Sequence, residues 1–177
     1  MKPSRIFALI VALQALFLVG WSLKEETELR KGKEILLEAA PDAESKGHVE
    51  HGTFRRLRFK ASAIPREMFS GEERTPIEPG SPVYVYLVKE GQYFVPSRAS
   101  YQKPTDANAL YLGGTTAYSF RPRSSKTVAV DYMMDQNLFW RGASEPPSEI
   151  QVSVLVLPDG RARVMGLLAD GRPLPRE

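Results

Sequence analysis

Residues 149–168 read EIQVSVLVLPDGRARVMGLL, and this stretch decides the fold. Val152, Val154 and Val156 recur at every second position, the period of a strand with one face in a core. Pro158-Asp159-Gly160 then supplies turn chemistry. Proline presets φ, aspartate bonds its own backbone, and glycine accepts positive φ. Arg161–Leu168 resumes the strand. The segment is therefore an antiparallel hairpin, and the rest of the chain reads in the same way.

Upstream, Thr53–Ala61 sets Leu57, Phe59 and Ala61 against Arg56, Arg58 and Lys60, again period two. Pro82 leads into Val83–Val88 (VYVYLV), whose β-branched and aromatic residues favour a pleated strand. Glu90-Gly91 turns the chain, and Gln92–Ser100 returns as a second hairpin. Glu34–Ala39 is a short apolar run closed by Pro41-Asp42, and Thr127–Met133 is a further strand. Short strands are expected at Ala109–Leu112 and Tyr118–Phe120, around Gly113-Gly114. Residues 63–82, with four prolines and two glycines, read as a long loop. Asp135–Pro147 reads as a loop or single helical turn. The expected core comprises Leu57, Phe59, Val83, Val85, Val154, Val156, Val164 and Leu167. Tyr84 and Tyr86 are the alternative inward pair, because a shift of one residue exchanges the two faces. The domain is expected to be mainly β, an antiparallel β-sandwich or partly open barrel.

The N-terminus follows another rule. Ile6–Leu23 (IFALIVALQALFLVGWSL) is eighteen residues without a charge. As a helix it reaches about 27 Å, against roughly 30 Å of hydrocarbon in a bilayer. It is expected to be a single transmembrane helix, with Trp21 at its outer interface. Lys2 and Arg5 precede it, which favours an N-terminus inside and an extracytoplasmic (periplasmic) C-terminal domain at the cytoplasmic membrane. A cleaved signal peptide is the alternative, but its apolar region should be shorter and end in a small-x-small site. Lys24–Lys31 (KEETELRK) carries a Glu26–Arg30 pair at i,i+4 and continues the helix as a stalk up to Gly32. Residues 1–31 are thus the anchor and stalk, and 32–177 the β domain. Ala8, Ala12 and Ala15 make a small-residue stripe beside Gln14, which fits a membrane helix that packs against another or, equally, an anchor in which alanine is common and Gln14 is tolerated alone.

Composition removes whole classes of chemistry. The chain has no cysteine, which excludes disulfides, thiolate metal sites and thiol catalysis. A net charge of +3 is mild, and its one dense cluster, Arg55–Lys60, reads as the wet face of a strand rather than a nucleic-acid surface. His48 and His51 could offer two metal ligands, with no third marked. Asp131 and Asp135, or Ser100 and Lys103, do not make a recognisable catalytic set, and Gly113-Gly114 lacks the rest of any phosphate-binding pattern. No cofactor is expected, and no enzyme. Phe139-Trp140-Arg141 has the composition of an interface anchor, since Trp and Arg concentrate at binding hot spots, and the alternative is a loop aromatic folded back over the domain's own core.

Gly52-Thr53-Phe54-Arg55-Arg56-Leu57-Arg58-Phe59 resembles a degenerate copy of the motif of the GDYXXLXY domain family. The family glycine falls on Gly52 and its leucine on Leu57. Its two tyrosines fall on Phe54 and Phe59, and its aspartate on Thr53. Gly32–Pro41 resembles the family's first strand, Gly80–Val88 its next, and Val152–Pro173 its final hairpin with the trailing Asp170-Gly171-Arg172-Pro173. The resemblance covers most of residues 30–175 and implies a membrane-anchored extracytoplasmic domain. It carries over no catalytic residue. The functional expectation is a non-catalytic accessory or interaction subunit that associates with integral membrane protein and lipid. The alternatives are a membrane-tethered hydrolase-like enzyme, or a monomeric ligand-sensing or envelope-binding module.

Overall fold

The computed structural model describes residues 3–49, 52–69, 78–106, 108–117, 126–134, 139–142, 150–169 and 172–173. It divides into two units, Met1–Gly32 and Lys33–Glu177. The first holds one helix, α1 (Pro3–Arg30). Its last turns follow from the stalk sequence. Arg30 Nη2 donates to Glu26 Oε1 at 2.8 Å, and Thr27 Oγ1 donates to the Leu23 carbonyl at 2.7 Å. The helix closes where Lys31 and Gly32 N–H groups bond back to Glu28 and Leu29.

The second unit is two antiparallel sheets. One contains β1 (Lys33–Val49), β2 (Gly52–Phe59), β8 (Phe139–Gly142), β9 (Ile150–Val156), β10 (Ala162–Ala169) and β11 (Arg172–Pro173). Its order is β11-β10-β9-β1-β2-β8. The other contains β3 (Ala63–Pro65), β4 (Pro82–Glu90), β5 (Tyr93–Ser100), β6 (Tyr111–Thr116) and β7 (Thr127–Asp131), in the order β3-β7-β6-β4-β5. The 149–168 segment is the β9–β10 hairpin that its sequence dictates. Strand β9 also pairs with β1, Lys33 opposite Val156 and Ala39 opposite Ile150, so the two ends of the domain meet at the centre of the sheet.

Alternation places the core. Ile35, Leu37 and Ala39 of β1, Leu57 and Phe59 of β2, and Val152, Val154 and Val156 of β9 point inward from one sheet. Val83, Val85 and Leu87 of β4, Leu112 of β6, and Val128 and Val130 of β7 meet them from the other. Each large aliphatic side chain so buried contributes about 1.5–3 kcal/mol. Val83 and Val85, not Tyr84 and Tyr86, thus form the inward face of β4. Val164 and Leu167 are half-buried at the margin of this core, because β10 lies one strand from the end of its sheet.

Several expectations need correction. The Glu34–Ala39 run does not stop at Pro41-Asp42. The strand runs on to Val49, with its register to β2 broken between Pro41 and Lys46. Pro41 still stands opposite Leu57, and beyond it residues 42–45 of β1 stand against the single residue 56 of β2. The region 63–82 is not all loop either. Ala63–Pro65 pairs with β7, and Phe69 is 2% exposed in the core. Residues 70–77 lie outside the described set. Tyr111–Thr116 runs straight through Gly113-Gly114 instead of ending before them. The expected strand at Tyr118–Phe120 lies outside the described residues.

Candidate interaction surfaces

Where the β9–β10 turn reaches β6, the two sheets are clasped together. Gly113 N–H donates to the Gly160 carbonyl at 2.8 Å, and Tyr111 OH donates to the Pro158 carbonyl at 3.2 Å. Asp159 caps the turn: its carboxylate accepts from the Arg161 backbone N–H at 3.0 Å and from Arg161 Nε at 2.5 Å. Burial alone would raise the Asp159 pKa, but these Arg161 contacts outweigh it and hold the carboxyl below its ordinary 3.8. Tyr111 moves the other way. Its burial, followed by the Asp159 charge and the neighbouring phenols Tyr84 and Tyr86, raises it above 10.0.

Tyr84 and Tyr86 flank this clasp on the outer face of β4. Their rings lie 5.9 Å and 6.3 Å from that of Tyr111, and the Arg98 guanidinium sits 4.3 Å over Tyr86. Tyr111 is buried and Arg98 covers Tyr86, so the cluster is largely filled by its own side chains. Its chemistry is that of a structural seam. The sequence carried a signal for it in the V-Y-V-Y alternation, which must send two phenols outward once the valines point in.

Several further polar groups in the core region have partners. Thr116 Oγ1 donates to the Glu78 carbonyl at 2.6 Å and accepts from Ser81 N–H at 2.9 Å, which pins the entry to β4. Tyr132 OH donates to the Ala61 carbonyl at 2.8 Å. Gln151 Nε2 donates to Tyr93 OH at 2.9 Å, and Ser153 Oγ to Glu34 at 2.5 Å.

The sequence-derived site residues fall in two places. Ala8, Ala12, Gln14 and Ala15 all lie on α1, although the side chain of Ala8 is outside the described set. Gln14 is exposed among Leu13, Phe17 and Leu18. Phe139-Trp140-Arg141 is not a loop or a helical turn. It forms β8, the last strand of the six-stranded sheet, with Phe139 opposite Arg56, Trp140 opposite Arg55 and Arg141 opposite Phe54. A run of only four residues between turn-forming segments gives too little periodicity to reveal a strand.

Among the described residues, no cluster of three or more His, Asp or Glu side chains could hold a metal. His48 falls in β1, while His51 and Asp135 lie outside the described residues. Asp131 ends β7. Ser100 ends β5, and its hydroxyl accepts from the Gln102 N–H at 3.0 Å, a local turn contact.

No protein-family model, no curated protein and no solved structure matches this chain.

Proposed function

We propose that the protein is a membrane-tethered, non-catalytic interaction subunit, with the β domain extracytoplasmic and α1 as its anchor. One observation carries the reading. Leu16, Phe17, Leu18 and Val19, four successive residues that circle one helical turn, are 70%, 66%, 66% and 58% exposed. Phe7, Leu13, Trp21 and Leu23 are as open. A helix that is apolar all round is stable only when lipid or other helices cover it. Among the described residues no helix is long and apolar enough to cross a membrane. The Ile6–Leu23 run lies within α1, and the side chains of Ile6, Ala8 and Leu9 are outside the described set.

The charge pattern favours the same arrangement. Lys2 and Arg5 precede the apolar run, and Lys24 beyond it is followed at once by Glu25, Glu26 and Glu28. The resemblance to the GDYXXLXY family points to the same topology. The test is alkaline extraction of membranes, then external protease on spheroplasts. The protein should remain in the membrane pellet, and protease should remove the β domain and leave a small anchor fragment. Release by alkali, or a β domain protected from external protease, contradicts the proposal.

A further inference from the structure

Gln14 is a strongly hydrogen-bonding side chain in the middle of an apolar helix. Eight residues of the Ile6–Leu23 run precede it and nine follow, and the run's other polar side chains, Trp21 and Ser22, lie in its last turn. Gln14 is exposed, in one groove with Leu13, Phe17 and Leu18, and its amide meets no partner among the described residues. Hydrocarbon offers an amide neither donor nor acceptor. Because α1 is apolar on every side, hydrophobicity selects no face of it for a neighbour, and the amide does. Phe7, Gln14 and Trp21 stand seven residues apart with Ile10 and Phe17 between them, so the five share one face at heptad spacing. All five are exposed, and the Phe17 and Trp21 rings lie 6.0 Å apart on that face.

We infer that α1 pairs in parallel with α1 of a second copy along this face, Gln14 against Gln14. The inference rests on the anchor reading of α1. Depth selects the occupant. Two copies of a single-pass chain cross the bilayer in the same direction, so each residue lies level with its own counterpart. A partner of another sequence needs a polar group placed separately at that depth, whereas a second copy brings one there by construction. The amide is also self-complementary. The N–H of one Gln14 donates to the carbonyl of the other, which donates in return, and both groups are satisfied without water. A single polar residue in an otherwise apolar heptad seam fixes the register and the number of strands. Such an isologous contact closes at two copies. Each amide keeps a second N–H, and Ala12 and Ala15 fall outside the seam, so the pair leaves that side of α1 open to another helix.

The experiment is single-cysteine cross-linking of the full-length protein in membranes, which a chain without cysteine makes clean. Under copper-phenanthroline oxidation, Ile10→Cys, Phe17→Cys and Trp21→Cys should give a dimer of the chain. Ala12→Cys, Leu16→Cys and Leu23→Cys, on the far side of the helix, should give little. Adding Gln14→Leu should weaken the dimer about tenfold, as two modest membrane hydrogen bonds imply, read as cross-link yield while the protein is diluted in lipid. Gln14→Asn keeps an amide at that depth and should retain most of it. Alkaline extraction of the same membranes separates the two readings. Protein that stays in the pellet without forming the dimer overturns the pairing and leaves the anchor standing, whereas release by alkali overturns both. Equal cross-linking at all six positions reports random collision and overturns the pairing. So does a dimer insensitive to Gln14→Leu, or one strongest at Ala12 and Leu16. An adduct with a different protein in place of the second copy has the same effect.

Discussion

The Tyr111 ring occupies the space that a Cβ on residue 160 would need: that Cβ would lie 2.8 Å from Tyr111 Cδ2 and 3.2 Å from the Gly113 nitrogen. Gly160 also has φ of +85°, a region that side chains rarely enter. A single residue therefore lets the β9–β10 turn close onto β6. Gly160→Ala should suffer both penalties, left-handed strain and overpacking, for about 2–4 kcal/mol of lost stability. Gly91 is the control, with φ of +60° but open space around it, so Gly91→Ala should cost only about 1–2 kcal/mol. Urea unfolding of the three proteins measures the difference, and equal losses would mean that the clasp does not constrain the turn.

The clasp also sets a response to alkali. Tyr111 titrates above its ordinary 10.0, so the folded state holds the proton more tightly than the unfolded chain. Its stabilising contribution is complete below pH 10 and is lost as pH rises through the raised value. Tyr111→Phe removes this term along with the bond to Pro158. Between pH 9 and 11 the stability of wild type should fall more steeply than that of Tyr111→Phe, read from denaturation midpoints. Asp159 acts with opposite sign. Its lowered pKa gives stability that is present above 3.8 and lost as pH falls through the lower value. Asp159→Asn should flatten that acid loss.

These residues also show where sequence reasoning reaches its limit. Alternation at Thr53–Ala61, Val83–Val88 and Glu149–Leu168 was enough to place β2, β4, β9 and β10, because one buried face forces period two. It could not show that β1 pairs with β9 across more than a hundred residues, since no local pattern encodes a partner strand. Gly113-Gly114 read as a break, yet both lie in β6, and at Gly114 the reason is packing. A Cβ at 114 would stand 2.7 Å from Val130 Cγ1 and 2.9 Å from the Asp131 carbonyl, so glycine there lets β7 approach. The composition of Phe139–Arg141 raised the expectation of an interface anchor but did not reveal the strand that it forms. The clasp was invisible because it joins residues almost fifty positions apart.

The Tyr132–Ala61 bond gives a prediction about the core. Tyr132 is 2% exposed and its hydroxyl reaches the Ala61 carbonyl at 2.8 Å. Tyr132→Phe keeps the ring packing and removes a buried donor. The loss should be about 1–3 kcal/mol, the cost of leaving a buried carbonyl without that bond. Tyr132→Ala adds a cavity and should cost more, about 3–5 kcal/mol by analogy with large aromatic truncations. If Tyr132→Phe is neutral in urea unfolding, the hydroxyl has no share in holding β7 to the turn after β2.

The last prediction follows from the tether reading and concerns α1. Ala12 and Ala15 would let a neighbouring helix approach closely, and Gln14 would offer an amide to it in an environment without water. Measured membrane hydrogen bonds are modest, about 0.6–2 kcal/mol, whereas blocking backbone approach removes the packing itself. Ala12→Leu should therefore weaken recovery of a membrane partner more than Gln14→Leu does. The measurement is the yield of that partner when the tagged protein is purified in mild detergent. A poly-Leu replacement of residues 6–23 should lose the partner while the β domain keeps its circular dichroism. Partner recovery at wild-type level in the chimera would reduce α1 to a tether and leave any such contact to the β domain. A larger effect from Gln14→Leu than from Ala12→Leu would instead mean that the amide, not close approach, holds the helices together.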